Sequence, residues 1–327
     1  MRPMSTLIDR RRFLALGAAC VAAPAVARGV SPLAGIGGAA FGTGWSVSLP
    51  AGTPTAALQA HIEALLADLD LVFSPWRADS VISRFNDAGA GDMAVADEVA
   101  EVAHSALIIA ESSSGHFDPT VGPLVARWGF GPIDHGEAMP GGWRGLSVAN
   151  DHIAKTRPGL TLDLCGIAKG HALDRMAGLL LDAGHDDFLI DFGGELAARG
   201  RHPSGRVWQV GIEDPRPEAE GFVGMLRLDS LAVATSGDRA NGYNIGPRRY
   251  SHIIDPATRE PVEGALASVS VLTASAREAD GWATALMAAG EAGPELARNR
   301  DIAALFLFRD GVGLRSVATG AVEKHLA

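Results

Sequence analysis

The chain has 327 residues, 47% of them hydrophobic and 20% charged, enough to bury a large core as one domain or two intimate lobes. Its formal net charge of −10 argues against a nucleic-acid-binding protein, and an anionic ligand would need local cations or a metal. Its two cysteines, Cys20 and Cys165, are too few for a disulfide framework.

Residues 1–27 read as an export signal. Arg10-Arg11, one further residue and Phe13-Leu14 have the twin-arginine form, and the apolar run behind them ends in Ala25-Val26-Ala27. That run is too short to span a bilayer, and Gly17 stands where a lipid-attachment signal at Cys20 would have leucine. A periplasmic protein without a lipid anchor is expected. Removing residues 1–27 takes away four arginines and one aspartate, shifting the charge from −10 to −13 and leaving Cys165 alone.

Residues 28–40 (RGVSPLAGIGGAA) are small and glycine-rich and are expected to be a flexible linker, with the folded domain running over 41–327. FGTGWSVSL then reads as a strand. Leu58, Ile62, Leu65, Leu66 and Leu69 give residues 54–70 a helical period, and Val99, Val102, Ala106 and Ile109 do the same for 95–113. A loop-rich stretch, 114–145, precedes a short strand near 146–155. TLDLCGIAKGHALDRMAGLL (161–180) reads as strand, glycine turn and helix. Strands are predicted in DFLIDFGGELAARG, VWQVGIED, MLRLDSLAVATS, YSHIID and SVSVLT, then a helix over 277–289 and a closing strand, IAALFLF. The irregular mixture predicts an α+β fold of mixed sheets with packed helices.

Four constellations carry possible chemistry. In GIAKG, backbone N–H groups at a helix start join Lys169 in a pattern that favours an anion. The same residues read equally well as a tight turn with a solvated lysine. In SGHFDPT, Pro119 holds Asp118 in a rigid turn, with Phe117, Trp128 and Phe130 available to flank a planar ring. An Asx turn beside core aromatics is the plainer reading. In EADGWATALM, Asp280 and Thr284 are one helical turn apart and offer hard oxygen donors to Mg²⁺, or simply an acid near a helix N-terminus. His252, ahead of Asp255-Pro256, is a candidate general base for a hydroxyl, or a histidine of the core or surface. Cys165 reads as a small packing residue.

The order of these motifs resembles one family. FGT at 41, WRADSVISRFN, SGHFDPTVGPLV, DLCGIAKGHALD, FGGE, SGD, HIIDPAT and EADGWATAL succeed one another as in the FAD:protein FMN transferase (ApbE) family. The resemblance implies two intimate lobes with the site between them. It implies a Mg²⁺-dependent enzyme that splits FAD and passes FMN to a threonine of a target flavoprotein, such as a respiratory-chain or electron-transfer subunit, leaving AMP. By position it implies Phe41, Trp76, His116, Phe117, Asp118, Asp163, Lys169 and Ser251 or His252 for FAD. For the metal it implies Gly166, Arg277, Asp280 and Thr284, and it makes His252, Asp280 and Lys169 the catalytic group. Nucleic acid is not implied as a partner, and a membrane enters only through the target protein. Phe41, Trp76 and Arg259 depart from the common methionine, tyrosine and glycine. The competing readings are an FAD pyrophosphatase giving FMN and AMP, and a non-catalytic FAD-binding protein.

Overall fold

The computed structural model describes residues 33–327 apart from 218, 240, 241 and 247, so the expected signal over 1–27 lies outside the described residues. The described part of the expected linker is a strand. Leu33–Ala40 (β1) pairs antiparallel with Thr43–Pro50 (β2), from Leu33↔Pro50 to Ala40↔Thr43. Its glycines serve close approach and not flexibility. A Cβ on Gly37 would stand 2.7 Å from the Trp45 carbonyl oxygen, and one on Gly38 would stand 2.9 Å from the Trp45 indole nitrogen.

Two helices follow, α1 (Ala56–Phe73) and α2 (Val81–Asp87), the second capped by the Ser80 hydroxyl on the Ser83 amide at 3.0 Å. Strand β3 (Gly91–Ala94), helix α3 (Asp97–Ser112) and short helix α4 (Gly122–Arg127) lead into β4 (Leu146–Ala149) and β5 (His152–Lys155). The single strand expected over 146–155 is therefore a hairpin, turned at Asn150 with φ 51°. Helix α5 (Cys165–Asp182) precedes β6 (Phe188–Phe192) and β7 (Glu195–Arg199). Then come β8 (Trp208–Glu213), β9 (Phe222–Leu228), β10 (Ala232–Gly237), β11 (Gly242–Ile245) and β12 (Arg248–Ser251). The expected YSHIID strand breaks at His252 and resumes as β13 (Ile254–Asp255), which pairs with β14 (Glu260–Pro261). The chain finishes with β15 (Leu266–Thr273), α6 (Ala276–Ala288), α7 (Gly293–Asn299), β16 (Ala303–Asp310) and β17 (Gly313–Thr319). Strand β17 carries no clean alternation and is half exposed along most of its length, so its period gave no signal.

Eight strands form one antiparallel sheet in the order β1-β2-β6-β7-β10-β15-β16-β17. The period of two decides its faces. Phe188, Ile190 and Phe192, with Trp45 and Val47, point into a core shared with α1, α3 and α5. On the same face Ala234, Val269, Val271, Phe306 and Phe308 pack under α6 and α7. Leu189, Val233, Leu272, Leu305 and Leu307 point the other way, under the β8–β9 hairpin. Among the described residues no helix is long and apolar enough to cross a membrane.

Helices α5 and α6 join the two apolar clusters of the first face. Their crossing is closed at Gly170, where a Cβ would lie 2.2 Å from the Ala276 carbonyl oxygen and 2.7 Å from Asp280 Cβ. Alanine inside a helix normally gains about 1 kcal/mol over glycine. Gly170→Ala is expected instead to lose about 1–3 kcal/mol in urea unfolding through overpacking. Gly178→Ala, on the same helix with no atom within 4 Å of its added Cβ, is the control and should stabilise. Equal gains at both positions would show that the crossing is not closed.

Candidate active site between helices α5 and α6

The segment before α5 is not the ladder strand expected from its leucines. Asn86 of α2 takes the place of a neighbouring strand: its Nδ2 donates to the Leu162 carbonyl at 3.0 Å, and its Oδ1 accepts the Leu162 amide at 2.7 Å. The Asp163 amide donates to the Pro119 carbonyl at 2.7 Å, joining this segment to the Phe117–Thr120 turn. Asp163 Oδ1 then accepts the Cys165 amide at 2.9 Å and starts the helix. Burial pushes the Asp163 carboxyl above its ordinary range, against that hydrogen bond.

Along α5 and α6 the expected metal and phosphate residues converge. The Gly170 amide, whose helical partner is the carbonyl four residues back, that of Gly166, donates to Asp280 Oδ2 at 2.9 Å. Asp280 thus competes for the donor that Gly166 would otherwise receive. The Thr284 hydroxyl reaches the Gly166 carbonyl at 3.5 Å. Gly166 is closely packed: a Cβ there would meet Phe117 Cε2 at 3.1 Å and Thr284 Oγ1 at 3.2 Å, so either side chain would have to give by a few tenths of an ångström. Lys169 Nζ donates to Glu195 Oε1 at 2.6 Å.

The electrostatics show an excess of buried acid. Burial works against the Lys169 charge, but Glu195 and Asp280 outweigh it and hold the ammonium above the ordinary lysine range. Burial pushes Asp280 up, with Lys169 and the Gly170 amide pulling against it. Glu195 is pushed up to about 7 by burial and by Asp280, although Lys169 opposes the shift. Glu195 Oε2 is buried and has no hydrogen-bond partner. Two carboxylates, a hydroxyl and a carbonyl offer hard oxygen donors, and the one ammonium beside them does not balance the two acids, which suits a divalent cation. Adjacent ligands of a Mg²⁺-sized octahedral ion stand about 3 Å apart, so the Gly166–Thr284 pair needs little closure.

Around this group stand the other expected residues. Asp118 is buried and Oδ1 accepts both the Thr120 amide at 2.9 Å and its hydroxyl at 2.6 Å. Burial still leaves the Asp118 carboxyl above its ordinary range. Ser114 (φ 57°) and Gly115 (φ 86°) turn the chain so that buried Phe117 lies on Gly166, and half-buried His116 shares this loop. Phe41 sits at φ 51° beside Gly42 at φ 74°, the two-residue turn of the β1–β2 hairpin. A bulky residue in the left-handed region is strained. It is held with its ring 5.5 Å from Phe192, the last residue of β6 before the Gly193-Gly194 turn to Glu195.

A model of the ApbE family matches residues 41–306. The chain belongs to the ApbE family. It is 32% identical to the FAD:protein FMN transferase of Salmonella typhimurium over 324 residues, which cover 93% of this chain and 92% of that protein. It is 33% identical to the Vibrio cholerae protein of the same name, covering 83% and 85%. Among solved structures, the apo flavinyl transferase ApbE of Pseudomonas stutzeri matches with a TM-score of 0.80 and 34% identity over 90% of this chain and 96% of that one. The ApbE protein of Thermotoga maritima, 24% identical, shares the fold at a TM-score of 0.79.

Not every residue expected from the ApbE pattern joins the α5–α6 group. The Arg277 guanidinium, a cation and so no metal ligand, donates to Glu101 Oε1 of α3 at 2.7 Å. Trp76 stands 69% exposed on the α1–α2 loop and takes no part in the buried cluster. Ser251 is buried and its hydroxyl accepts the Ile253 amide at 3.1 Å. Half-buried His252 lies edge-on to Phe130, with ring centroids 6.3 Å apart. Phe130 stacks on Tyr243 at 5.1 Å, Tyr243 on Tyr250 at 5.3 Å, and Tyr250 on Trp128 at 5.6 Å. Helix α4 links this aromatic stack to the first group. Gly122 at its start packs on Asp163, Trp128 caps its other end, and its six residues span about 9 Å. Arg259 has φ 65°, a conformation suited to glycine, so the turn survives the departure from the ApbE pattern.

Asn86, Asp174 and Glu195 each close one of the motifs quoted above, but nothing local assigned them a role, because each acts on a segment remote in the chain. For Glu195 a pH test follows. Its folded value of about 7 exceeds the ordinary 4.5, so the fold binds an extra proton between those values and stability falls as pH rises through that window. Glu195→Gln, which mimics the protonated acid, is expected to melt closest to the native protein below that window and to gain on it as pH rises through the window, in thermal scans with chelator. A difference that stays constant with pH would contradict it.

Proposed function

We propose that this chain is a periplasmic, Mg²⁺-dependent FAD:protein FMN transferase that cleaves the FAD pyrophosphate, attaches FMN to a threonine hydroxyl of a target flavoprotein and releases AMP. One observation carries the reading: the Gly166 carbonyl, Asp280, the Thr284 hydroxyl and Lys169 meet where α5 begins and α6 crosses it. The family's named relatives supply the transferase class. The twin-arginine segment supports export.

The chain's own residues divide the work as phosphoryl transfer demands, by positioning and charge. Asp280, Thr284 and the Gly166 carbonyl would hold Mg²⁺, which supplies positive charge against the pyrophosphate. Lys169 stays charged and adds a second positive group on the same side. Phe117 and Phe41 offer apolar walls for the flavin, and Asp118 and Asp163 offer buried acceptors, or donors when protonated. His252 takes the threonine proton as the threonine oxygen bonds to the FMN phosphorus and the bond to the AMP phosphate breaks. A target subunit of an electron-transfer complex fits this chemistry, and any membrane contact comes through it.

Incubating residues 28–327 with FAD, Mg²⁺ and a threonine-bearing target is expected to give a fluorescent covalent adduct and one AMP for each FMN attached. Free FMN and AMP at full rate without target would make the chain a pyrophosphatase instead. FAD binding with no AMP under any metal condition would make it a binding protein. Asp280→Ala should abolish the metal-dependent activity. His252→Ala should keep FAD bound and lose transfer by roughly 10²–10⁴-fold.

A further inference from the structure

Asp174 lies on α5, half-buried, about one and a half turns beyond Lys169, and the function above assigns it nothing. Its carboxylate is spent on the first residues of α6. Oδ1 accepts the Ala276 amide at 2.7 Å, and Oδ2 accepts the Arg277 amide at 3.0 Å and the Ser275 hydroxyl at 2.7 Å. The Ser275 hydroxyl in turn accepts the Glu278 amide at 3.4 Å, so α6 is capped by its own serine and by an acid from another helix.

We infer that Asp174 is a positioning residue that sets the register of α6 against α5, and thereby brings Asp280 and Thr284 to the Gly166 carbonyl. Asp280 and Thr284 lie one and two turns beyond the Ala276 amide on the same helix, so the axial position that Asp174 fixes there is carried to both. Three contacts then fix one crossing: Asp174 at the start of α6, Gly170 against Ala276 and Asp280, and Gly166 against Thr284. Hydrophobic packing alone would hold the axial position of α6 weakly, because the buried face of its first two turns is its own Ala276, Ala279, Gly281 and Ala283, which offer small ridges to interdigitate. A carboxylate bonded to two specific amides allows one axial position. The residues that line up the donor set thus include one that touches neither metal nor substrate.

This inference rests on the metal site proposed above, and the test separates the two. Mg²⁺ dependence of AMP release, FAD affinity in chelator, and the Mg²⁺-induced rise in melting temperature are measured for the native chain, Asp280→Ala, Asp174→Ala and Asp174→Asn. Asp174→Ala is expected to need about 10–100-fold more Mg²⁺ for half-maximal rate, the effect of losing a residue that orients metal ligands. FAD affinity in chelator should hold, and the Mg²⁺-induced melting shift should shrink. Asp174→Asn keeps an acceptor oxygen and should recover part of the metal response, which keeps the test open should the alanine variant fold poorly. If both variants lose activity only in step with their folded fraction, with the native Mg²⁺ requirement, Asp174 is a structural cap and the inference fails. If the native chain and Asp280→Ala respond alike to Mg²⁺, the metal-site reading itself is wrong.

Discussion

The close crossing of α5 and α6 at Gly170 is the contact on which the remaining geometry depends. With no side chain there, the Ala276 carbonyl approaches to a distance that any Cβ would forbid. Asp280 can then reach the Gly170 amide from the neighbouring helix and leave the Gly166 carbonyl with acceptor capacity. Both helices rest on one face of the same eight-stranded sheet, so their relative position is set by a rigid floor as well as by their mutual contact. One continuous sheet carries both apolar clusters of that face, and α5 and α6 cross where the clusters adjoin.

Burying two carboxylates against a single lysine is costly unless something offsets the excess charge. Glu195 shows the cost directly, with a carboxyl pushed up to about 7 and one oxygen without a partner. Such an arrangement gains little for folding, and the proposed Mg²⁺ would offset the excess charge. An overall charge of −10 would repel a dinucleotide, so the attraction has to be generated locally.

Much of the architecture was legible in the chain. The two long helices before residue 114 and the helix near 277 declared themselves through their apolar period, and alternation in FLIDF and SVSVLT announced sheet strands. The failures share a cause. Glycines at 37 and 38 look like slack until Trp45 is placed against them. Leucines at 160, 162 and 164 look like a strand until Asn86 supplies the hydrogen bonds a neighbouring strand would give. Arg277, one residue before the motif that holds Asp280, looks like part of the same group until its guanidinium is placed on Glu101 of α3.

The sequence by itself determined the α+β class, the motif order that marks the ApbE family, and the residue types on which a metal and a pyrophosphate could act. Those properties are local: period, turn chemistry and spacing survive in one dimension. Only the tertiary structure decided which acids face each other, that Glu195 holds Lys169, and that Asp174 reaches across to α6. These pairs lie 26 and more than a hundred residues apart, and packing against a common sheet is what brings them within a hydrogen bond.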